Sequence, residues 1–335
     1  MMIQRLFSSW HDFAFNDGER RCSMRKLMPL ISIGLAAIGL LLVTGCQPES
    51  DEALIRDLLE NSQYTAEGSG FQKENDDTTN LKGAQLSPGF FDLETIPFVR
   101  FARWIVRPIP RHIEIDINGD SAWATIEAEA HGWFYVLNES VPGAPVYRRE
   151  FYDSLVRDVY LEKDEDGWHI VSITPVNIWT KDGKNDITIK DLKAVARPSG
   201  AEFHITSSDT LLTKDQLPTF EPNDTVKVTV EAQIEMTSTE ADSLWAFLHH
   251  GRHPRAGHRI HHRDPFYRLT TWTFEREWVI ADDSIVTTPA LRHAAVDFIA
   301  WSTLWGGEDA TYYAAAWALP YIVKKSGEET PPDTE

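Results

Sequence analysis

Cysteine is nearly absent from this chain. Only Cys22 and Cys46 occur in 335 residues, so no disulfide framework can be built and any fold must rest on packed cores. Positive charge is scarce too: 32 Lys and Arg stand against 51 Asp and Glu, a net charge of −19. The 45 residues ahead of Cys46 hold five of the Lys and Arg and three of the Asp and Glu, so the remainder carries 27 against 48, or −21. Such a surface repels the nucleic-acid backbone, which proteins hold largely through Lys and Arg, and nucleic acid is set aside as a partner. The apolar run Leu27–Leu42 is shorter than the ~20 residues of a spanning helix, which argues against a permanent transmembrane segment. What the chain does have is 42% hydrophobic residues, with twelve Trp and sixteen Phe. That is enough to fill real cores, and it excludes wholesale disorder.

The run Leu27–Leu42 is preceded by the basic Met24-Arg25-Lys26 and followed by small residues, the parts of a secretory signal. Residues 1–23 do not fit that unit, so translation is expected to start at Met24. Val43-Thr44-Gly45-Cys46 resembles the lipobox of bacterial lipoproteins, in which the cysteine is acylated, with chains such as palmitate, and the preceding bond is cleaved. The resemblance implies lipidation at Cys46 and a location in the cell envelope. At ~0.8 kcal/mol per buried CH₂, two or three chains make a stable anchor. Gln47 stands where, in lipoproteins of Gram-negative bacteria, aspartate favours retention in the inner membrane. Its presence points to the outer membrane if the source has two membranes.

Behind a tether, residues 46–50, the spacing of Leu54, Ile55, Leu58 and Leu59 predicts a helix. Residues 68–89 read as a loop rich in Gly, Asn, Asp, Thr and Ser. From Arg111 the period changes to two. Ile113, Ile115 and Ile117 alternate with Glu114 and Asp116, and Asn118-Gly119 is a hairpin turn. A strand from about Tyr147 to Leu161 and a turn at 164–167 lead into the strand Trp168–Ile173. Helix first, then long antiparallel strands ending in "DGWHIVSI", resembles the NTF2-like, cone-shaped α+β fold over residues 51–180. That resemblance implies a pocket between helices and sheet. Its candidate lining is His112, His131, Tyr152, Asp153 and Arg157. A carboxylate beside a tyrosine suits an isomerase-like base and oxyanion donor; the plainer expectation is that Asp153 and Arg157 pair on a strand face, with His131 bordering the core.

Residues 181–194 read as a linker. Val226, Val228, Val230, Ala232 and Ile234 alternate with polar residues, predicting a half-buried strand. Short strands are further expected at 244–248, 267–274, 277–280, 294–299 and 318–323. Residues 195–325 resemble an immunoglobulin-like β-sandwich, and residues 326–335 read as a disordered tail. Between two of those strands lies "HHGRHPRAGHRIHHRD", with six of the twelve histidines. His249, His253 and His258 are candidate metal ligands, although Arg252, Arg255, Arg259 and Arg263 put like charge beside any cation. Those four arginines make a candidate anion-binding loop, suited to an anionic glycan or lipid. The aromatics Trp301, Trp305, Tyr312, Tyr313, Trp317 and Tyr321 suggest sugar stacking, but core packing is the commoner use of such residues.

The expectation is thus an α+β NTF2-like domain followed by an all-β immunoglobulin-like sandwich, lipid-anchored in the envelope. Its role is binding or scaffolding of an envelope protein, glycan or lipid, with no catalytic residue and no cofactor implied. A small-molecule enzyme or carrier using the first pocket, and a metal-handling lipoprotein using the histidines, stand as alternatives.

Overall fold

The computed structural model describes residues 50–65, 78–80, 99–106, 109–138, 143, 145–181, 187–234, 244–255, 258–281 and 288–333. Side chains at 78–80, 100, 102, 137, 138 and 251–263 are outside that description. The signal, the lipobox with Cys46, and most of the 68–89 loop lie outside the described residues.

Helix α1 spans Asp51–Asn61. The Ser50 hydroxyl accepts from Ala53 N at 3.2 Å, Asp51 and Glu52 occupy the first turn, and Ile55 and Leu59 face inward one turn apart. Strands β1 (Thr78–Asn80), β2 (Val99–Ile105), β3 (Arg111–Asn118), β4 (Ser121–Asn138), β5 (Val146–Asp164), β6 (Gly167–Ile173) and β7 (Val176–Thr180) follow. Next come β8 (Ile187–Arg197), β9 (Glu202–Ile205), β10 (Leu212–Thr213), β11 (Thr219–Phe220), β12 (Thr225–Ile234), β13 (Leu244–Arg255) and β14 (His258–Pro265). The chain ends with β15 (Tyr267–Arg268), β16 (Thr273–Val279), β17 (Ala290–Ala300), the short helix α2 (Trp301–Trp305) and β18 (Ala314–Val323).

Local signals placed the hairpins. Gly119 takes φ +64° in the β3–β4 turn, a conformation open to glycine, and β3 pairs with β4 from Arg111↔Ala128 to Asn118↔Ser121. β4 and β5 pair over their length, from Ser121↔Glu162 to Leu137↔Val146. Gly132 marks a close approach in β4: a Cβ there would lie 1.9 Å from the Trp104 carbonyl oxygen of β2. Gly132→Ala therefore forces β2 off its partner. A loss on the order of 3 kcal/mol, or failure to fold, is expected in thermal or denaturant melts; an unchanged midpoint would refute the contact.

The larger sheet runs β1-β2-β4-β5-β7-β18-β17-β13-β14, with β3, β6, β10 and β11 paired off that path. The smaller runs β15-β16-β12-β8-β9. Strands β17 and β18 are covered on both faces. Val296, Phe298 and Ala300, with Ala315, Trp317 and Leu319, pack in the same core as Val226, Val228 and Val230 of the smaller sheet. Ala295 and Ile299, with Ala314, Ala316 and Ala318, pack instead with Phe101, Phe134 and Phe151 of the larger sheet's far half. Burial on both faces explains the nearly unbroken apolar run AAAWALPYIV of β18, which lacks the alternation of a half-exposed strand.

This architecture corrects the expected fold class. Among the described residues only α1 and α2 are α-helical and the rest is overwhelmingly antiparallel β, with no NTF2-like α+β cone. The misleading features were local: one amphipathic helix and one terminal hairpin, which many β folds share. β7, which lies at the end of the expected first module, pairs with β18 near the end of the chain, Val176 opposite Ala318. Residues 48–335 form one compact unit, and 187–194, read as linker, are the first eight residues of β8. The smaller sheet against β13, β17 and β18 is sandwich-like. Residues 331–333 of the expected disordered tail are docked. Tyr64 Oη donates to the Pro331 carbonyl at 2.8 Å, and Lys214 Nζ lies 2.5 Å from Asp333 Oδ1.

Candidate functional site

The strand alternation that buries Phe101 and Ile105 of β2 also turns Arg103 inward, where it is 1% exposed. β17 likewise buries Asp297 between Ala295 and Ile299, β13 buries His249, β5 buries Asp153, and the residues ahead of β18 bring in Tyr312. These five side chains meet. Arg103 Nη1 donates to Asp297 Oδ2 at 2.6 Å and Nη2 to Oδ1 at 3.0 Å, the two-pronged pairing that guanidinium geometry favours. Arg103 Nε donates to Tyr312 Oη at 2.9 Å, and that hydroxyl donates to Asp153 Oδ2 at 3.1 Å. His249 Nε2 lies 3.1 Å from Asp297 Oδ2. An ionised carboxylate can only accept, so Nε2 carries the hydrogen. Strands β2 and β17 are far apart in sheet order, so the 2.6 Å contact shows the larger sheet curled back on itself.

Burial pushes the Asp297 carboxyl up, but the Arg103 charge and the hydrogen bonds of His249 and Arg103 outweigh it and hold the group well below the usual carboxylate range. Burial raises Asp153 to about 7; Arg103 and Tyr312 pull it down only in part, and Asp297 pushes it further up. Burial opposes the Arg103 charge, yet Asp297 keeps its pKa raised. Burial also lifts the Tyr312 hydroxyl well above its ordinary range.

Around this network the curled half is filled with rings: Phe101–Phe134 at 5.4 Å, Phe101–Phe247 at 5.2 Å, Phe134–Tyr312 at 5.2 Å and Phe151–Tyr312 at 5.1 Å. A general acid–base reading of Asp153 and Tyr312 lacks a place for a reactant, because both are sealed beneath these rings. A cavity among the described residues lies elsewhere, between the two sheets. It is apolar, holds about 50 Å³, and is lined by residues such as Phe203, Phe220, Trp278 and Trp317. Small-molecule sites usually begin at ~300 Å³. The network's chemistry is that of a charge-balanced clamp across the curl.

The five residues expected to share a pocket do not converge. His112 is exposed on β3, 3.2 Å from Glu114. His131 and Tyr152 stack 6.0 Å apart on the outer face of β4 and β5. Asp153 and Arg157 do share the inner face of β5, but they do not pair: Asp153 joins the clamp, and Arg157 Nη1 donates to the Tyr64 carbonyl at 2.6 Å. The histidine-rich stretch, expected as a loop, forms the β13–β14 hairpin. His249 is committed to Asp297. His253 and His258, with Arg252, Arg255, Arg259 and Arg263, sit on that hairpin, and their side chains lie outside the described residues. No group of three His, Cys, Asp or Glu is arranged for a metal among the described residues. Of the aromatic series, Tyr312, Trp317 and Tyr321 are buried, in keeping with core packing.

No protein-family model and no curated protein matches the chain. Sequence reasoning passed over Arg103 and Asp297. The signal was available: a single acid inside the apolar stretch AAVDFIA, and a single arginine inside FARWI. A charge at an inward strand position demands an opposite partner.

Proposed function

We propose that this chain is a lipid-anchored cell-envelope protein that binds or scaffolds through its outer sheet face. The observation that carries the binding role is an aromatic patch facing solvent. Trp104 of β2 stands opposite Trp133 of β4, which stands opposite Glu150 of β5. One step along, the exposed Val106 and His131 lie beside Tyr152. Trp104 is 53% exposed and Tyr152 44%, and the Arg148 guanidinium stacks 3.6 Å from the Trp133 ring centre. Large aromatics clustered on the solvent side of a sheet, with charged groups at their margin, have the composition of an interaction site. The filled interior of the curled half supports a surface role over an enclosed ligand. The anchor is supported by the signal and lipobox residues that end at Cys46.

The test has two arms in a bacterial host. Full-length chain should partition with membranes and yield a mature N-terminus at acylated Cys46, while Cys46→Ser leaves it unprocessed. An unmodified Cys46 thiol in the wild-type product would refute the anchor. Acyl-free protein should sediment with washed envelopes, and Trp104→Ser/Trp133→Ser/Tyr152→Ser should reduce that retention at least tenfold (about 1.4 kcal/mol) with little change in melting temperature. Equal retention would refute the aromatic face.

A further inference from the structure

A second buried cation has no counter-charge among the described residues. Arg157 points inward from β5 and is 4% exposed. Its Nη1 is used, donating to the Tyr64 carbonyl at 2.6 Å. Nε and Nη2 are sealed from solvent and have no hydrogen-bond partner among the described residues. These two nitrogens form one edge of the guanidinium, the edge whose parallel N–H groups match two oxygens of a carboxylate, phosphate or sulfate. Its charged neighbour is another arginine. Arg111 of β3 lies diagonally across β4, with Arg111 opposite Ala128 and Arg157 opposite Ile126, and the Arg111 Nη2 donates to the Thr65 carbonyl at 2.9 Å.

Burial and the Arg111 charge lower the Arg157 pKa to about 9, so the side chain remains mostly charged at neutral pH. Taking an ion out of water without a partner is heavily penalised. Two of its three nitrogens are aimed inward, so the missing element is an acceptor with negative charge. The contrast with Arg103 is direct. That guanidinium is equally buried, but the same kind of fork is closed on Asp297.

We propose that the open Nε–Nη2 edge of Arg157, with Arg111 beside it, is the binding site of a small oxyanion inside the fold. A carboxylate answers the Arg157 fork. A tetrahedral phosphate or sulfate answers the same fork with two of its oxygens. The site is separate from the aromatic face and does not depend on the proposed envelope role.

The experiment uses the full chain in detergent, with phosphate, sulfate or acetate exchanged for chloride at constant ionic strength. The melting temperature should rise with the logarithm of the bound anion's concentration, by about 5 °C at a hundredfold excess over its Kd. Equilibrium dialysis should show one anion per chain. A response to phosphate and sulfate alone assigns a tetrahedral ligand, and a response to acetate alone a carboxylate. Arg157→Met should abolish binding while melting in chloride at or above the wild-type temperature, because an uncompensated charge has gone. Should that variant not fold, Arg157→Lys retains the charge without the fork and should bind at least tenfold more weakly. Absence of stoichiometric binding to wild type for all three anions, or equal binding by wild type and Arg157→Lys, would overturn the site.

Discussion

Arg103→Met is expected to cost 3–5 kcal/mol of unfolding free energy, at the level of ~4 kcal/mol found when one member of a buried ion pair is removed. Methionine fills much of the arginine's volume, so the loss is electrostatic. Asp297 stays at 0% exposure, is left with the His249 hydrogen bond, and must be protonated or remain an unpaired charge. Tyr312 loses the Nε donor at 2.9 Å as well. Arg103→Met/Asp297→Leu should recover most of the loss, since an apolar pair in place of a buried ion pair is often neutral or stabilising. Urea unfolding of the two variants and wild type measures the coupling directly. Equal stabilities for Arg103→Met and wild type would show that the clamp contributes nothing to the curl.

Asp153→Asn should alter the pH dependence as strongly. The Asp153 carboxyl has an ordinary value of 3.8 and is raised to about 7 in the fold. Between those values the folded state holds a proton that the unfolded chain has released, so stability falls as pH rises through the window. The stabilising contribution is complete below pH ~4, is lost through pH ~7, and amounts to about 4 kcal/mol at 1.36 kcal/mol per unit. The substituted amide, always neutral, should flatten that decline and make the variant more stable than wild type at pH 8. Asp297 acts with the opposite sign. Its depressed pKa contributes stability above its unfolded value and loses it only as pH falls below that range, so the two carboxyls occupy separate windows. Parallel wild-type and variant curves from pH 5 to 8 would contradict the buried, protonated Asp153.

Much of the chain's local structure was legible in advance. The Asn118-Gly119 turn, the 164–167 turn and the alternation of β12 lie where the period of two and the turn chemistry put them. The helical spacing of residues 54–59 falls within α1. The N-terminal half of β18 was missed because Ala314, Ala315 and Ala316 have low strand propensity. Their small side chains serve a strand packed on both faces, a property that emerges only when the neighbouring layers are known. The histidine-rich stretch was misread because Gly251 and Pro254 usually punctuate strands; instead Phe247–Arg252 pair with Ile260–Pro265. The tail was misread from polarity alone. Tyr64 and Lys214 provide its partners, and both are remote in sequence.

The candidate site shows the same division. Asp153 and His249 were singled out as chemically capable residues, but Asp153 was expected to pair with Arg157, and neither was joined to Arg103 or Asp297. Arg103 and Asp297, which complete the clamp, come from β2 and β17 and are 194 residues apart.

By itself the sequence determined where strands and turns form and which faces of most strands are apolar, because these follow from each residue's near neighbours. It also determined the −19 charge and the lack of a disulfide framework. Only the tertiary structure decided that β7 joins β18, that the larger sheet curls until Arg103 reaches Asp297, and that the aromatics Trp104, Trp133 and Tyr152 face outward while Tyr312 and Trp317 are buried. The physical reason is that antiparallel pairing between distant segments depends on how whole layers bury area and satisfy backbone and charge together, and no local window contains both partners.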